Sequence, residues 1–356
     1  MAKECVCVKV PKSLGEKTIV LASKLKIMNN ELTIQRNTAF ICIPLARKPS
    51  KSEAKAFMQQ IPELEFSVHT FPERKKHGAT FAELLEDKLA AHLLASLPRA
   101  VDLVGDIAII EIPLELDSYK SVIGEAVLKA HKHVRTVLAK AGAVSGTYRL
   151  REFSVIAGEP KTETLHKEYG CKYHVDVAKA YFSPRLSNEH RRVATLVKDG
   201  ETVVDMFAGV GPFSIQIAEM RKNVKVHAVD MNPDAVELLK KNIRLNRVES
   251  KVDPILGDAR QVVKEMLSDA ANRVIMNLPE KAMEFVDVAC MALKPKGGIV
   301  HFYSFVNASD PLEKMQLRFA ENVENYGRKI EKILFSKGVR ETAPYEWQAV
   351  LDAEIR

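Results

Sequence analysis

The chain has 356 residues, a net charge of +7, 46% hydrophobic and 28% charged residues, a composition typical of a globular protein long enough for two or three domains. No apolar run approaches the roughly 20 residues of a membrane helix. The start, Met1-Ala-Lys-Glu-Cys-Val-Cys7, lacks the basic-then-apolar pattern of a secretory signal, so a cytoplasmic protein is expected.

The first part of the chain, 1–68, reads as a small α/β unit. Val6 to Val10 alternates like a strand, Gly15 to Leu25 is helical, Phe40 to Leu45 is an apolar strand, Lys51 to Ile61 is helical and Glu65 to Val68 is a short strand. The basic stretch 72–78, with Pro and Gly at its ends, reads as a linker. Five cysteines, at 5, 7, 42, 171 and 290, are too dispersed for a disulfide framework. Cys5 and Cys7 have no neighbouring ligands that would complete a metal site.

A second unit spans 79–180. Its pattern predicts a long helix over Phe81 to Ala95, a strand within Val104 to Pro113, and a helix over Ser121 to Ala141 carrying several basic residues. Strands are expected over Tyr148 to Phe153 and Tyr173 to Val177. The basic residues between 129 and 151 read either as a solvated face or as an RNA-binding one.

The third unit, 181–356, alternates regularly. Strands are expected at Thr202–Met206, Val224–Asp230, Lys251–Leu256, Arg273–Asn277 and Ile299–Phe305. Helices fall between them: one begins at Pro212, one is capped by Asn232, and one has apolar residues at 282, 285, 286, 289, 290 and 293. Such alternation implies an α/β fold with a mostly parallel sheet and helices on both faces. A last helix, 311–325, precedes two strands, Lys329–Phe335 and Glu346–Ile355, expected to pair antiparallel at the sheet edge.

The residues that carry chemistry sit at the ends of these strands. Asp205-Met-Phe207-Ala-Gly209-Val-Gly211-Pro-Phe-Ser214 closes the first strand and opens a helix, and its glycines allow close backbone approach to a ligand. It is not the dinucleotide fingerprint, because Ser214 holds the third glycine place. A carboxylate at Asp205 suits a cationic amino group. Asp230, with Met231 after it, ends the second strand, where a carboxylate accepts from ribose hydroxyls. Asp258-Ala259 follows the third strand and can meet an adenine amine. Each acid alone is ordinarily a helix cap, but together, in strand order, they describe S-adenosylmethionine. Asn277-Leu-Pro279 ends the fourth strand, where a carboxamide can hold a planar base. In Tyr181-Phe-Ser-Pro-Arg185-Leu-Ser-Asn-Glu189-His-Arg-Arg192 a carboxylate lies among cations, either for proton handling or as a surface ion-pair cluster.

With these motifs the chain resembles the archaeal and eukaryotic tRNA guanosine-N1 methyltransferases usually called Trm-five, over essentially its whole length and most strongly from Arg149 to Pro279. The resemblance implies a class I Rossmann-like methyltransferase domain preceded by two smaller α/β domains, with S-adenosylmethionine as methyl donor, no metal, and tRNA position 37 as target. The N-terminal domain would meet the outer corner of the tRNA, and the rest would grip the anticodon arm. Glu189 would be the general base for guanine N1, Arg151 would face O6, Asn277 and Pro279 would position the base, and Tyr181 and Arg185 would lie beside it. Where the family has Arg directly after this Glu, His190 stands here, followed by Arg191. Rival readings are a wyosine-pathway enzyme acting on the same nucleotide, a tRNA-binding protein with a degenerate site, and a methyltransferase for proteins or small molecules. A monomer is the default expectation.

Overall fold

The computed structural model describes residues 2–37, 39–73, 79–98, 100–142, 146, 148, 150–307, 312–343 and 345–356. It divides into two compact units, Met1–Ala79 and Thr80–Arg356. Among the described residues no helix is long and apolar enough to cross a membrane.

In the first unit, β1 (Ala2–Pro11), α1 (Gly15–Lys24), β2 (Gln35–Arg36), β3 (Phe40–Pro44), α2 (Lys51–Gln60) and β4 (Glu65–Pro72) form an antiparallel sheet in the order β2-β3-β1-β4 with two helices. The alternation of β1 and β3 buries Val8, Val10, Ile41 and Ile43 against Leu21 and Phe57. Ser50 and Glu53 close a capping box that starts α2. The strand expected at Glu65–Val68 runs on to Pro72. Residues 74–78 of the expected linker lie outside the described residues.

The second unit opens on α3 (Ala91–Ala95), β5 (Val101–Val104), β6 (Ile107–Ile110), α4 (Lys120–Ala130), β7 (Thr136–Lys140) and β8 (Phe153–Gly158), a four-stranded sheet in the order β5-β6-β7-β8. Three expectations change here. The long helix over Phe81–Ala95 is broken: a short 3-10 turn at Glu83–Leu85 and α3 are separated by an extended Ala90. No proline or glycine causes the break. It lets Leu85, Leu89 and Leu97 all enter one core, so packing overrides local propensity. The helix expected to reach Ala141 stops at Ala130, because Thr136-Val-Leu-Ala139 is completely buried as an inner strand. The strand expected from Tyr148 begins at Phe153. Residues 147 and 149, including Arg149, lie outside the described residues.

A hairpin, β9 (Glu163–Glu168) and β10 (Cys171–Asp176), leads into α5 (Ser187–Leu196). Then come β11 (Thr202–Asp205), α6 (Pro212–Met220), β12 (Lys225–Asp230), α7 (Pro233–Leu245), β13 (Val252–Leu256), α8 (Ala259–Val262), β14 (Arg273–Met276), α9 (Val286–Ala292), β15 (Gly298–Asn307), α10 (Leu312–Asn325), β16 (Ile330–Ala343) and β17 (Glu346–Ile355). The seven-stranded sheet runs β13-β12-β11-β14-β15-β17-β16. The first five strands are parallel, and the last two pair antiparallel at the sheet edge as expected, with β17 inserted between β15 and β16 and β16 running past the expected Phe335 to Ala343. The strand order reverses at β11, the place where open α/β sheets bind ligands. One apolar core runs from Val104 and Leu138 through Tyr173 to Val203 and Ile275.

Candidate active site

The chain leaves β11 at Asp205 and turns through Gly209 and Gly211 into α6. Gly211 caps that helix at φ +90°, and a Cβ on it would stand 2.4 Å from Leu239 Cδ1, so any other residue would be strained there and would displace Leu239. Pro212 takes the first helical position. Asn242, buried in α7, donates to Val210 O and His174 O, both at 3.0 Å, and ties this loop to the hairpin.

Beyond the carboxyl ends of β11 to β14 lies a cavity of about 310 Å³. Phe207 and Gly209 form part of its wall, as do Asp230 and Met231 from β12, Asp258 and Ala259 from α8, and Asn277 and Pro279 after β14. Tyr181 closes it from the segment before α5. The Asp230 carboxylate accepts from Gly209 N at 2.7 Å and Asn232 N at 2.9 Å, so it both shapes the loop and faces the cavity. Burial raises its pKa, against those two bonds. Asp258 is an N-cap, accepting from Arg260 N and Gln261 N, and a cavity wall at once. Phe285 meets Phe207 edge-to-face at 5.1 Å between centroids. It also walls the cavity, a role its helical spacing did not distinguish from core.

Asp205 and Gly211 stand behind this wall rather than in it. Asp205 is 0% exposed; its Oδ2 accepts from Ser214 Oγ at 2.7 Å, while Oδ1 is buried with no hydrogen bond to a described residue. Burial pushes its pKa up to about 7, partly opposed by the Ser214 bond. An orphaned carboxylate oxygen behind a glycine loop fits a cationic amino group on the ligand.

A second cavity, about 480 Å³, shares Tyr181, Phe182, Ser183 and Glu280 with the first. Arg151 and Arg185 line it together with Lys140 and Arg340. Arg185 is held by Asp102, with Nε 2.5 Å from Oδ1. Arg151 and Arg185, expected beside the base, therefore line a neighbouring cavity that shares a wall with the first and carries four carboxylates, Asp102, Glu280, Glu341 and Glu346, beside its four cations.

Glu189 lines neither cavity, although Leu186 and His190 on the same helical turn line the first. Its carboxylate accepts from Arg192 Nε at 2.9 and 3.1 Å and from Tyr303 OH at 3.0 Å. Arg192 in turn donates through both terminal nitrogens to Asp352, and Asp352 accepts from His301 Nδ1 at 2.6 Å. Arg273 NH1 lies 2.8 Å from His301 Nε2. Arginine can only donate, so Nε2 accepts and the imidazole carries its proton on Nδ1. Burial likewise lowers the His301 pKa. Burial alone would raise that of Asp352, but the bonds from His301 and Arg192 outweigh it and hold the carboxyl below its ordinary value. Sequence reasoning missed this chain, though one sign was present: Asp352 is a lone acid inside the apolar strand Ala349-Val-Leu-Asp-Ala353. His190 is buried, 2.9 Å from Glu168 Oε2 and edge-on to Phe213. Arg191 lies over the Tyr169 ring.

A parallel sheet reversing at β11, a glycine loop above a buried acid, and acids ending the next two strands define a class I S-adenosylmethionine-dependent methyltransferase. Residues 164–333 match the TRM5/TYW2 methyltransferase domain, 81–162 the TYW2 N-terminal domain and 7–53 the tRNA methyltransferase 5 N-terminal domain. The chain is 38% identical to the tRNA (guanine(37)-N(1))-methyltransferase Trm5b of Pyrococcus abyssi, over 98% of this chain and 99% of that protein. To the protein of the same name from Methanocaldococcus jannaschii it is 35% identical, over 98% of each. The crystal structure of Trm5b from Pyrococcus abyssi matches with a TM-score of 0.72 and 35% identity, covering 99% of both chains. A structure described as the complex of aTrm5 and tRNALeu matches with a TM-score of 0.69 and 33% identity, covering 99% of this chain and 100% of that one. The chain belongs to the TRM5/TYW2 methyltransferase family.

Proposed function

We propose that this protein methylates N1 of guanosine at tRNA position 37, acting as a monomer in the cytoplasm. The observation that carries the reading is the pairing of the cofactor cavity with an adjoining cavity lined by Arg151, Arg185, Lys140 and Arg340. The first suits an adenosine-bearing ligand; the second, with four carboxylates among its cations and Tyr181 and Phe182 in its wall, suits an extruded base that offers both donors and acceptors. The N-terminal match at 7–53, and relatives named for N1 methylation that align along nearly the whole chain, favour this over the wyosine pathway. The related Taw21 and aminocarboxypropyltransferase proteins each align over 71% of the chain.

S-adenosylmethionine, when bound, supplies a methyl group activated by a sulfonium centre. Asp205 would take its amino group, Asp230 its ribose hydroxyls and Asp258 its adenine amine, with Phe207, Gly209, Met231 and Ala259 as the surrounding wall. Asn277 and Pro279 would position the guanine, with Tyr181 and Arg185 beside it. Guanine N1 attacks only after losing its proton, and a carboxylate within reach contributes roughly 10²–10⁴-fold by taking it. Glu189 is the proposed base. To act, it must exchange the Arg192 and Tyr303 bonds for the N1 proton, and Arg151 would balance the charge that develops on O6. Glu280, which walls both cavities, is the alternative base. The domains are proposed to divide the tRNA: 1–68 at the outer corner, 79–180 and 181–356 on the anticodon arm.

The test is methyl transfer from labelled S-adenosylmethionine to transcripts with guanosine or adenosine at position 37. Labelling of the guanosine transcript alone supports the reading. Binding of tRNA without labelling overturns it and leaves a wyosine-pathway role.

A further inference from the structure

The side chain of Arg340, on β16, is fixed in three directions: Nε donates to Gln348 Oε1 at 2.9 Å, NH1 to Ser183 Oγ at 3.0 Å and NH2 to Tyr181 OH at 2.9 Å. Arg340 and Gln348 are cross-strand partners in the sheet, and Gln348 is 1% exposed. Gln348 Nε2 then donates to Asn277 Oδ1 at 3.1 Å. Gln348 and Asn277 both wall the first cavity.

The polarity of this chain is set at one end. A guanidinium has donors and no acceptor, so the oxygen of Gln348 must face Arg340. Its NH2 must therefore face Asn277, and the oxygen of Asn277 must face Gln348. What remains of the Asn277 amide is its NH2, which donates to no described residue and belongs to a wall residue of the cavity. Turning either amide would set donor against donor at a buried position, which is costly.

We propose that Arg340 and Gln348 lock the Asn277 amide with its donors toward the base, making this relay the element that selects a 6-oxopurine over a 6-aminopurine. The proposal rests on the function read above. A 6-oxopurine brings a carbonyl oxygen to meet the Asn277 NH2. A 6-aminopurine brings hydrogens against hydrogens, and a site built to satisfy one partner rejects the other because its own group is left unpaired. Arg340 and Gln348 are positioning residues, since they act through Asn277.

The substitution Gln348→Glu tests the polarity. A carboxylate accepts from Arg340 and has no hydrogen for Asn277, so the Asn277 amide turns and presents its oxygen to the base. The measurement is kcat/KM on transcripts carrying guanosine or inosine at position 37, and the inhibition constant of the adenosine transcript. Calorimetric affinity for S-adenosylmethionine is the control. The expected result is a fall of about 10- to 100-fold on both guanosine and inosine, an adenosine transcript that competes at least as well as with wild type, and cofactor affinity within about three-fold. Gln348→Met, which removes the polarity without reversing it, is expected to lose less on both 6-oxopurines. Unchanged discrimination in Gln348→Glu overturns the proposal. So does an equal loss on all three transcripts together with loss of cofactor binding. Failure of the wild-type protein to methylate guanosine overturns instead the functional reading beneath it, and is seen without any variant.

Discussion

Replacing Asp205 by Asn is predicted to stabilise the ligand-free protein above neutral pH while weakening its grip on the cofactor. Burial holds the Asp205 pKa at about 7, against an ordinary value of 3.8. Between those two values the folded chain keeps a proton that the unfolded chain releases. The stability tied to Asp205 is therefore complete below pH ~4, falls as pH rises, and is lost above about 7. A difference of about 3 pK units at 1.36 kcal/mol each corresponds to about 4 kcal/mol, an upper figure for the penalty the ionised carboxylate imposes. Asn retains an acceptor for Ser214 and cannot ionise. Trp347, the sole tryptophan, packs against the core of the large sheet and reports its unfolding by fluorescence. Urea titrations at pH 5 and pH 8 should find the variant gaining on wild type by about 2–4 kcal/mol between the two. Calorimetry should find wild-type cofactor affinity rising between pH 6 and 7.5 and that of the variant flat and weaker. A variant equally destabilised at both pH values would refute the reasoning.

Glu189→Gln is predicted to lower kcat by roughly 10²–10⁴-fold with cofactor affinity preserved, and Glu280→Gln to lower it far less; the reverse order in single-turnover rates would make Glu280 the base. Asp352→Leu, which strips the partner from Arg192 and His301 inside the sheet, should destabilise the fold by about 3–5 kcal/mol in the same urea titrations. Gly211→Ala meets both φ +90° and the Leu239 side chain, and should cost about 1–3 kcal/mol of stability and at least tenfold in cofactor affinity by calorimetry.

The strands from β11 to β14 were legible because they are short and separated by helices with clear caps: Gly211-Pro212 and Asn232-Pro233 mark helix starts that the structure reproduces, whereas β16, expected to end at Phe335, runs on as a polar strand to Ala343. That Asp230 and Asp258 share one cavity was legible for a related reason, since both follow strand ends at a fixed topological place; Asp205 lies behind the wall instead. The 79–180 segment was harder. Thr136–Lys140 continues the apolar pattern of α4 with only a short break at His131–Arg135, and a buried strand and a helix look alike in such a run. The polar chain from Glu189 to Arg273, and the relay from Arg340 to Asn277, join residues as far as 160 positions apart in sequence. Only the Glu189–Arg192 pair is local; the other meetings depend on the pairing of β14 with β15 and of β17 with β15 and β16.

The central claim is tested most directly by digesting a methylated tRNA transcript to nucleosides and locating the added methyl group by mass spectrometry. N1-methylguanosine arising only at position 37 is the predicted result. A methyl group at any other atom or nucleotide, or methylation only of a tricyclic derivative at that position, would contradict the account.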